Sequence, residues 1–216
     1  MAQVVALDEL MNEKKVGILD VGLGNAGSVE RMLRKAGGIG ARITDPNDLT
    51  DVSGLIIPGV GSFDPAMSRI REAGFEQAIH KIIDNTDVPV LGICLGMHLL
   101  CNSSEEGNLN GLGVVDAKVR DMKRFASGLP TPNMGWREVV VTSQNPLIEE
   151  ASEQRFYFVH SYYVDMTEKQ FQIFQSSYGF DFCCGFQIGK VLGVQFHPEK
   201  SHKYGLNFFK KFVKML

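Results

Sequence analysis

The chain lacks a long hydrophobic run, an excess of positive charge and a cysteine framework, and each shortage removes a class of protein. No stretch reaches the roughly 18 uninterrupted apolar residues of a membrane span. The opening MAQVVALDELMNEKK has acidic residues where a secretory signal needs a longer apolar block. A cytoplasmic protein with no membrane partner is the expectation. The formal charge is −3 and the pI near 6.0, and Lys and Arg are scattered apart from a short C-terminal cluster, so nucleic acid is not an expected partner. The four cysteines, Cys94, Cys101, Cys183 and Cys184, include a vicinal pair and match neither a disulfide framework nor a Cys-x-x-Cys zinc pattern. They read as reduced thiols. No metal cluster, phosphate loop, internal repeat or linker is visible, and neither a metal nor a cofactor is expected.

What is present suffices for a core. With 216 residues, 44% hydrophobic and 22% charged, the chain is expected to form one α/β domain over residues 15–216 after a polar leader, 1–14, although two small domains are compatible with the length. VGILDV (16–21) reads as a buried strand, GLGNAG (22–27) as a loop, and SVERMLRKAG (28–37) as a helix capped by Ser28 and stopped by Gly37. GLIIPG (54–59) is a second strand, residues 64–84 have helical spacing with an interruption near Gly74, and VPVLGIC (88–94) is a third strand running into a helix. Short apolar strands alternating with helices predict a parallel sheet covered on both faces. Beyond about residue 112, LGVVDAKV, REVVVT, RFYFVHSYYV, FDFCCGFQIG and KVLGVQF are closely spaced and rich in β-branched and aromatic residues, which predicts an added antiparallel section. The C-terminal KYGLNFFKKFVKML returns to helical period, with Leu206, Phe209 and Val213 expected inward.

Three motifs carry chemistry. Gly92-Ile-Cys94-Leu-Gly96, between a buried strand and a helix, has the form of a nucleophile elbow with a thiol. A Cβ at either glycine would crowd so tight a turn, and the following helix would aim its free N–H groups and dipole at the sulfur. The alternative is that Cys94 is a small buried hydrophobe. GVQFHPEKS (193–201) leaves an apolar strand and sets His197 and Glu199 about a proline, so that the carboxylate can orient an imidazole that takes the thiol proton; a surface turn is the other reading. IIPGVGSF (56–63) ends a strand in a glycine loop whose N–H groups near Gly59 and Val60, with that of Leu95, can face an oxyanion; it can also be a plain turn.

In this order the three motifs resemble those of the class I (triad) glutamine amidotransferases, and within them the glutaminase subunits of imidazole glycerol phosphate synthases, from about residue 15 to the end. GLGNAGSV (22–29), PGVGSF (58–63), GICLGM (92–97), SSEEG (103–107), NMGW (133–136), YFVHSYY (157–163) and QFHPEKS (195–201) carry the resemblance. It implies a flavodoxin-like fold and a Cys94–His197–Glu199 triad. Cys94 would attack glutamine, a thioester would be hydrolysed to glutamate, and ammonia would pass to a docked (β/α)8-barrel synthase subunit in histidine biosynthesis. The product pair there is imidazole glycerol phosphate and an aminoimidazole carboxamide ribotide. Gly59, Val60 and Leu95 would form the oxyanion hole; His98, Glu106, His160, Ser161 and Tyr162 would bind glutamine; Met134, Trp136, Tyr157 and Lys200 would face the partner or the channel. His98 departs from the glutamine usual after Gly-Met, and Arg137 from the asparagine usual after Met-Gly-Trp, a place where a charge would suit a different partner. A paralogue feeding ammonia to amidino-sugar synthesis on bacterial surfaces therefore stays open, as do a partner-independent γ-glutamyl cysteine hydrolase and, set against the intact triad, a catalytically idle subunit.

Overall fold

The computed structural model describes residues 15–126, 128–148 and 154–216, so the expected leader, 1–14, lies outside the described residues. Strand β1 (Lys15–Leu19) leads through the glycine loop to helix α1 (Ala26–Lys35), then β2 (Ile39–Ile43), β3 (Gly54–Gly59), α2 (Phe63–Glu72), α3 (Phe75–Asn85), β4 (Val90–Cys94) and α4 (Leu95–Leu99). The second half adds β5 (Cys101–Ser104), β6 (Val115–Asp121), β7 (Asn133–Glu138), β8 (Val140–Val141), β9 (Arg155–His160), β10 (Tyr162–Met166), β11 (Gln172–Ser177), β12 (Asp181–Ile188), β13 (Val191–Val194) and α5 (His202–Lys214).

The main sheet runs β2-β1-β3-β4-β13-β12-β10-β6-β5, with β11 and β8 branching from β12. Its first five strands pair in parallel, and β13 joins β12 antiparallel, so β13 is where the two sections meet. The predicted parallel sheet and its antiparallel addition are both present, in the flavodoxin-like order for the first five. β7 and β9 form a separate antiparallel pair. One face of the main sheet packs α2 and α3 through Phe63, Met67, Ile70, Phe75, Ile79 and Ile82; the other packs α1 and α5 through Val29, Leu33, Phe208, Phe209 and Phe212.

Three local expectations are corrected and a fourth holds. α1 begins at Ala26, capped by Asn25, whose Oδ1 accepts the Ser28 N–H at 3.0 Å; Ser28 sits in the first turn because an asparagine caps as well as a serine. α5 buries Gly205, Phe208, Phe209 and Phe212, whereas Leu206 and Val213 are only half-buried. The aromatic face wins because it fills more volume against the sheet. The helix after Cys94 has only five residues before the chain turns into β5, so its dipole is small. The 64–84 helix is two helices, with Gly74 at φ 76° between them, as its interruption suggested. Among the described residues no helix is long and apolar enough to cross a membrane.

Candidate active site

β3, β4 and β13 are parallel neighbours, so their carboxyl ends share one edge of the sheet. Gly59 lies opposite Cys94, and Val194 opposite Ile93. The three motifs therefore converge for a topological reason, at the edge where open α/β sheets present their sites. Cys94 itself has φ 54° and ψ −109°, left-handed backbone that a side chain rarely adopts. The strain is held by close packing: a Cβ on Gly96 would collide with the Ile57 carbonyl, and one on Gly92 would stand 2.6 Å from the Gly96 oxygen. Only glycines let β3, β4 and α4 approach this closely.

His197 follows β13 by three residues and is 1% exposed. Its Nδ1 donates to Glu199 Oε1 at 2.8 Å, and the Glu199 side chain is 5% exposed. Nε2 is buried without a hydrogen-bond partner and is the nitrogen left for a proton arriving from the cavity. Burial alone would lower the pKa of His197; the charge and proximity of the Cys94 sulfur, together with Glu199, outweigh it and raise the value to about 10. The turn is fixed from behind. His197 N–H donates to the Tyr157 carbonyl at 2.8 Å, Ser201 Oγ donates to the His197 carbonyl at 2.6 Å, and Tyr157 N–H donates to Ser201 Oγ at 3.0 Å.

A cavity of about 290 Å³ opens over this pair. Val60, Cys94, Leu95, His98, Glu106, His160, Ser161, Tyr162 and His197 line it, with Gly61, Pro132 and Val159. Gly59 and Glu199 lie behind that lining, the first beneath Leu95 and the second behind His197. Leu95 opens α4, so its N–H has no acceptor within the helix. The Val60 N–H is different: it donates to the Leu23 carbonyl at 2.5 Å, so it is already engaged and does not complete an oxyanion hole in this conformation. The next residue, Gly61, has φ 106°.

His98 lies one turn beyond Cys94, 4% exposed, with Nε2 2.7 Å from Gln195 Oε1; burial lowers its pKa to about 4 and the Gln195 bond only partly offsets this. Glu106 Oε2 accepts the Phe63 N–H at 3.1 Å, and burial raises its pKa. His160 accepts from Asn133 Nδ2 at 3.0 Å and donates through Nδ1 to the Tyr162 carbonyl at 2.8 Å; burial holds it neutral, with a pKa near 3. Gln195 was not singled out from the sequence. It is fully buried, and its Nε2 donates to Cys94 Sγ at 3.7 Å. Its place two residues before His197, directly after β13, is the signal that marks it.

Met134, Trp136, Tyr157 and Lys200 are outside the cavity lining, and the last three are in contact. Met134 is 56% exposed. Trp136 stacks on His202 at 5.6 Å and meets Tyr157 and Tyr204 edge-on, and Lys200 Nζ stands 6.0 Å above the Tyr157 ring. Arg137 Nε donates to Asn133 Oδ1 at 3.0 Å and its guanidinium lies 4.8 Å above the Tyr178 ring. Its charge is thus engaged within the chain, behind His160. Cys101, Cys183 and Cys184 are buried away from the cavity, and burial pushes all three thiols up, Cys183 to about 12.

A strained cysteine beside a buried His–Glu pair, at the carboxyl edge of a flavodoxin-like sheet, is an arrangement suited to thiol chemistry. The family model described as glutamine amidotransferase class-I matches residues 18–215, and the chain belongs to that family. It is 42% identical over 200 residues to imidazole glycerol phosphate synthase subunit HisH 2 of Methanococcus maripaludis, covering 92% of this chain and 98% of that one. The HisH subunit of Leptospira borgpetersenii is 36% identical over 203 residues, covering 93% and 100%. The PurLQS structure from Thermotoga maritima superimposes with a TM-score of 0.74 at 17% identity, covering 94% and 97%, a likeness of fold.

Proposed function

We propose that the chain is the glutaminase subunit of an imidazole glycerol phosphate synthase, delivering ammonia from glutamine to a (β/α)8-barrel partner. The observation that carries this reading is the His197 imidazole, clamped by Glu199 on one side with Nε2 unpaired on the other, beside the strained Cys94 in the cavity. The Cys94 thiol gives its proton to His197 Nε2 and the sulfur attacks the side-chain amide carbon of glutamine. The N–H of Leu95 receives the developing oxyanion. His197 then protonates the departing nitrogen, ammonia leaves, and water activated by the same imidazole cleaves the thioester to glutamate. Glu106 offers a carboxylate to the α-ammonium of the substrate, and His98, His160, Ser161 and Tyr162 shape the cavity around the amino-acid end.

The second oxyanion donor requires the 59–61 loop to turn. Releasing the Val60 N–H from Leu23 and rotating the peptide is within reach of a loop flanked by Gly59 and Gly61. A loaded partner supplies that bias, which guards against idle glutamine loss.

The test is glutamine hydrolysis by the purified chain, alone and with the barrel cyclase and its nucleotide substrate. Little activity alone and stimulation by at least about tenfold in the full mixture are expected. Stimulation only by a different barrel protein replaces the pathway while keeping the chemistry; fast turnover without any partner overturns the gated loop and favours the γ-glutamyl hydrolase.

A further inference from the structure

The sulfur of Cys94 must be charged to attack, and the five-residue helix behind it contributes only a small dipole. Another donor touches it. Gln195 continues β13 past Val194, whose register partner is Ile93, so its side chain arrives beside Cys94. It is fully buried, and its Nε2 stands 3.7 Å from Sγ while its Oε1 stands 2.7 Å from His98 Nε2. An amide can take two orientations in such a slot. With nitrogen toward sulfur, it donates to a thiolate; with oxygen toward sulfur, it repels one. The choice falls to His98: with Nε2 protonated the imidazole donates to Oε1 and holds the amide nitrogen toward sulfur, whereas the other tautomer would draw the amide nitrogen to itself.

We propose that Gln195 is a further catalytic residue that stabilises the Cys94 thiolate through its amide N–H, and that His98 is the positioning residue that holds this amide in its donating orientation. The inference deepens the glutaminase reading and rests on it for its purpose, but the contact is testable without glutamine. His98 thereby acquires a role besides contact with substrate, and its departure from glutamine becomes intelligible: an imidazole with Nε2–H presents the same single donor to Oε1 that a side-chain amide presents. Gln195 does not line the cavity, so its loss slows turnover without weakening glutamine binding.

The groups able to influence the sulfur, besides the Val159 carbonyl that Sγ faces at 3.9 Å, are His98 on α4, His160 on β9 with Arg137 behind it, Glu106 from the 105–107 loop, and His197 with Glu199. Substituting Gln195 leaves all of them in place. Burial keeps His98 neutral around pH 7, so replacing it there removes no charge.

The experiment follows the pH dependence of Cys94 alkylation by iodoacetamide in the full-length chain, with circular dichroism as the check on folding. Gln195→Met, close in volume but unable to donate, is expected to move the alkylation midpoint up by about one pH unit. His98→Leu is expected to move it the same way, and His98→Gln to restore the wild-type midpoint. A folded Gln195→Met with an unmoved midpoint overturns the proposal. Should that variant not fold, the histidine pair decides: a His98→Leu midpoint equal to wild type overturns it, and a raised one rescued by His98→Gln supports it. Glutamine kinetics add a separate reading, a kcat lowered about tenfold with KM within about twofold in Gln195→Met. Absence of glutamine hydrolysis in the wild type, alone and with its partner, would overturn the proposed function while leaving the alkylation result to stand by itself.

Discussion

At the scale of single residues, the site is a set of buried polar atoms whose partners leave one atom free for chemistry. His197 is the clearest, with Nδ1 bound to Glu199 and Nε2 open. Cys94→Ala is expected to abolish glutamine hydrolysis yet leave complex formation with the barrel subunit intact, as read by co-elution; loss of the complex would contradict the assigned role. Glu199→Gln removes the carboxylate that orients the ring and is expected to lower kcat by about 10²-fold or more. The same variant tests a pH dependence whose sign follows from the raised pKa. Because folding lifts His197 from 6.5 to about 10, its contribution to stability is full below 6.5 and is lost as pH rises toward 10. The melting temperature of the wild type should therefore fall more between pH 7 and pH 10 than that of Glu199→Gln; equal slopes would deny the linkage.

At the scale of elements, the parts legible in the sequence were those with strong local patterns. β3 and β4 are apolar throughout and lie where their runs of Val, Leu and Ile place them. β2, by contrast, is IGARI, mostly half-exposed on the sheet edge, and β11 is QIFQSS, so neither shows the continuous apolar run that marks a central strand. β5, CNSS, follows so closely on the elbow helix that LGMHLL reads as one longer helix. Cys94, His197 and Glu199 were legible because their motifs sit at strand ends; Gln195 was not, because its role depends on two contacts about a hundred positions away in the chain. The glycines of the elbow invite a direct test. Gly96→Ala forces a methyl into the Ile57 carbonyl and is expected to cost at least about 2 kcal/mol, measured as a lowered urea midpoint. A neutral result would mean that α4 can lift from β3.

At the scale of the whole molecule, two sheets serve two tasks. The main sheet supplies Cys94 and leads into His197; the β7–β9 pair adds Val159 and His160 to the cavity wall, carries Met134 and Trp136 and, through Tyr157, grips the His197 turn. A subunit docked against the aromatic group would thus lie a single strand from His197. Met134→Glu, at a 56% exposed position, should leave the melting temperature nearly unchanged, within about 0.5 kcal/mol of stability. It should weaken binding to the barrel subunit at least about tenfold in titration calorimetry. Unchanged affinity would move the docking face elsewhere. Arg137, whose charge suggested a mark of another partner, ties Asn133 and Tyr178 together within the chain.

Of the four cysteines, Cys101 and Cys184 are fully buried and Cys183 is 4% exposed at the wall of a second cavity, all three with their thiols held in the protonated form by burial, and Cys94 lines the cavity beside His197. The native protein is therefore its own titrant: under non-denaturing conditions near neutral pH, a thiol reagent should incorporate one label per chain, and the stoichiometry of labelling counts competent active sites in any preparation without engineering the other cysteines away.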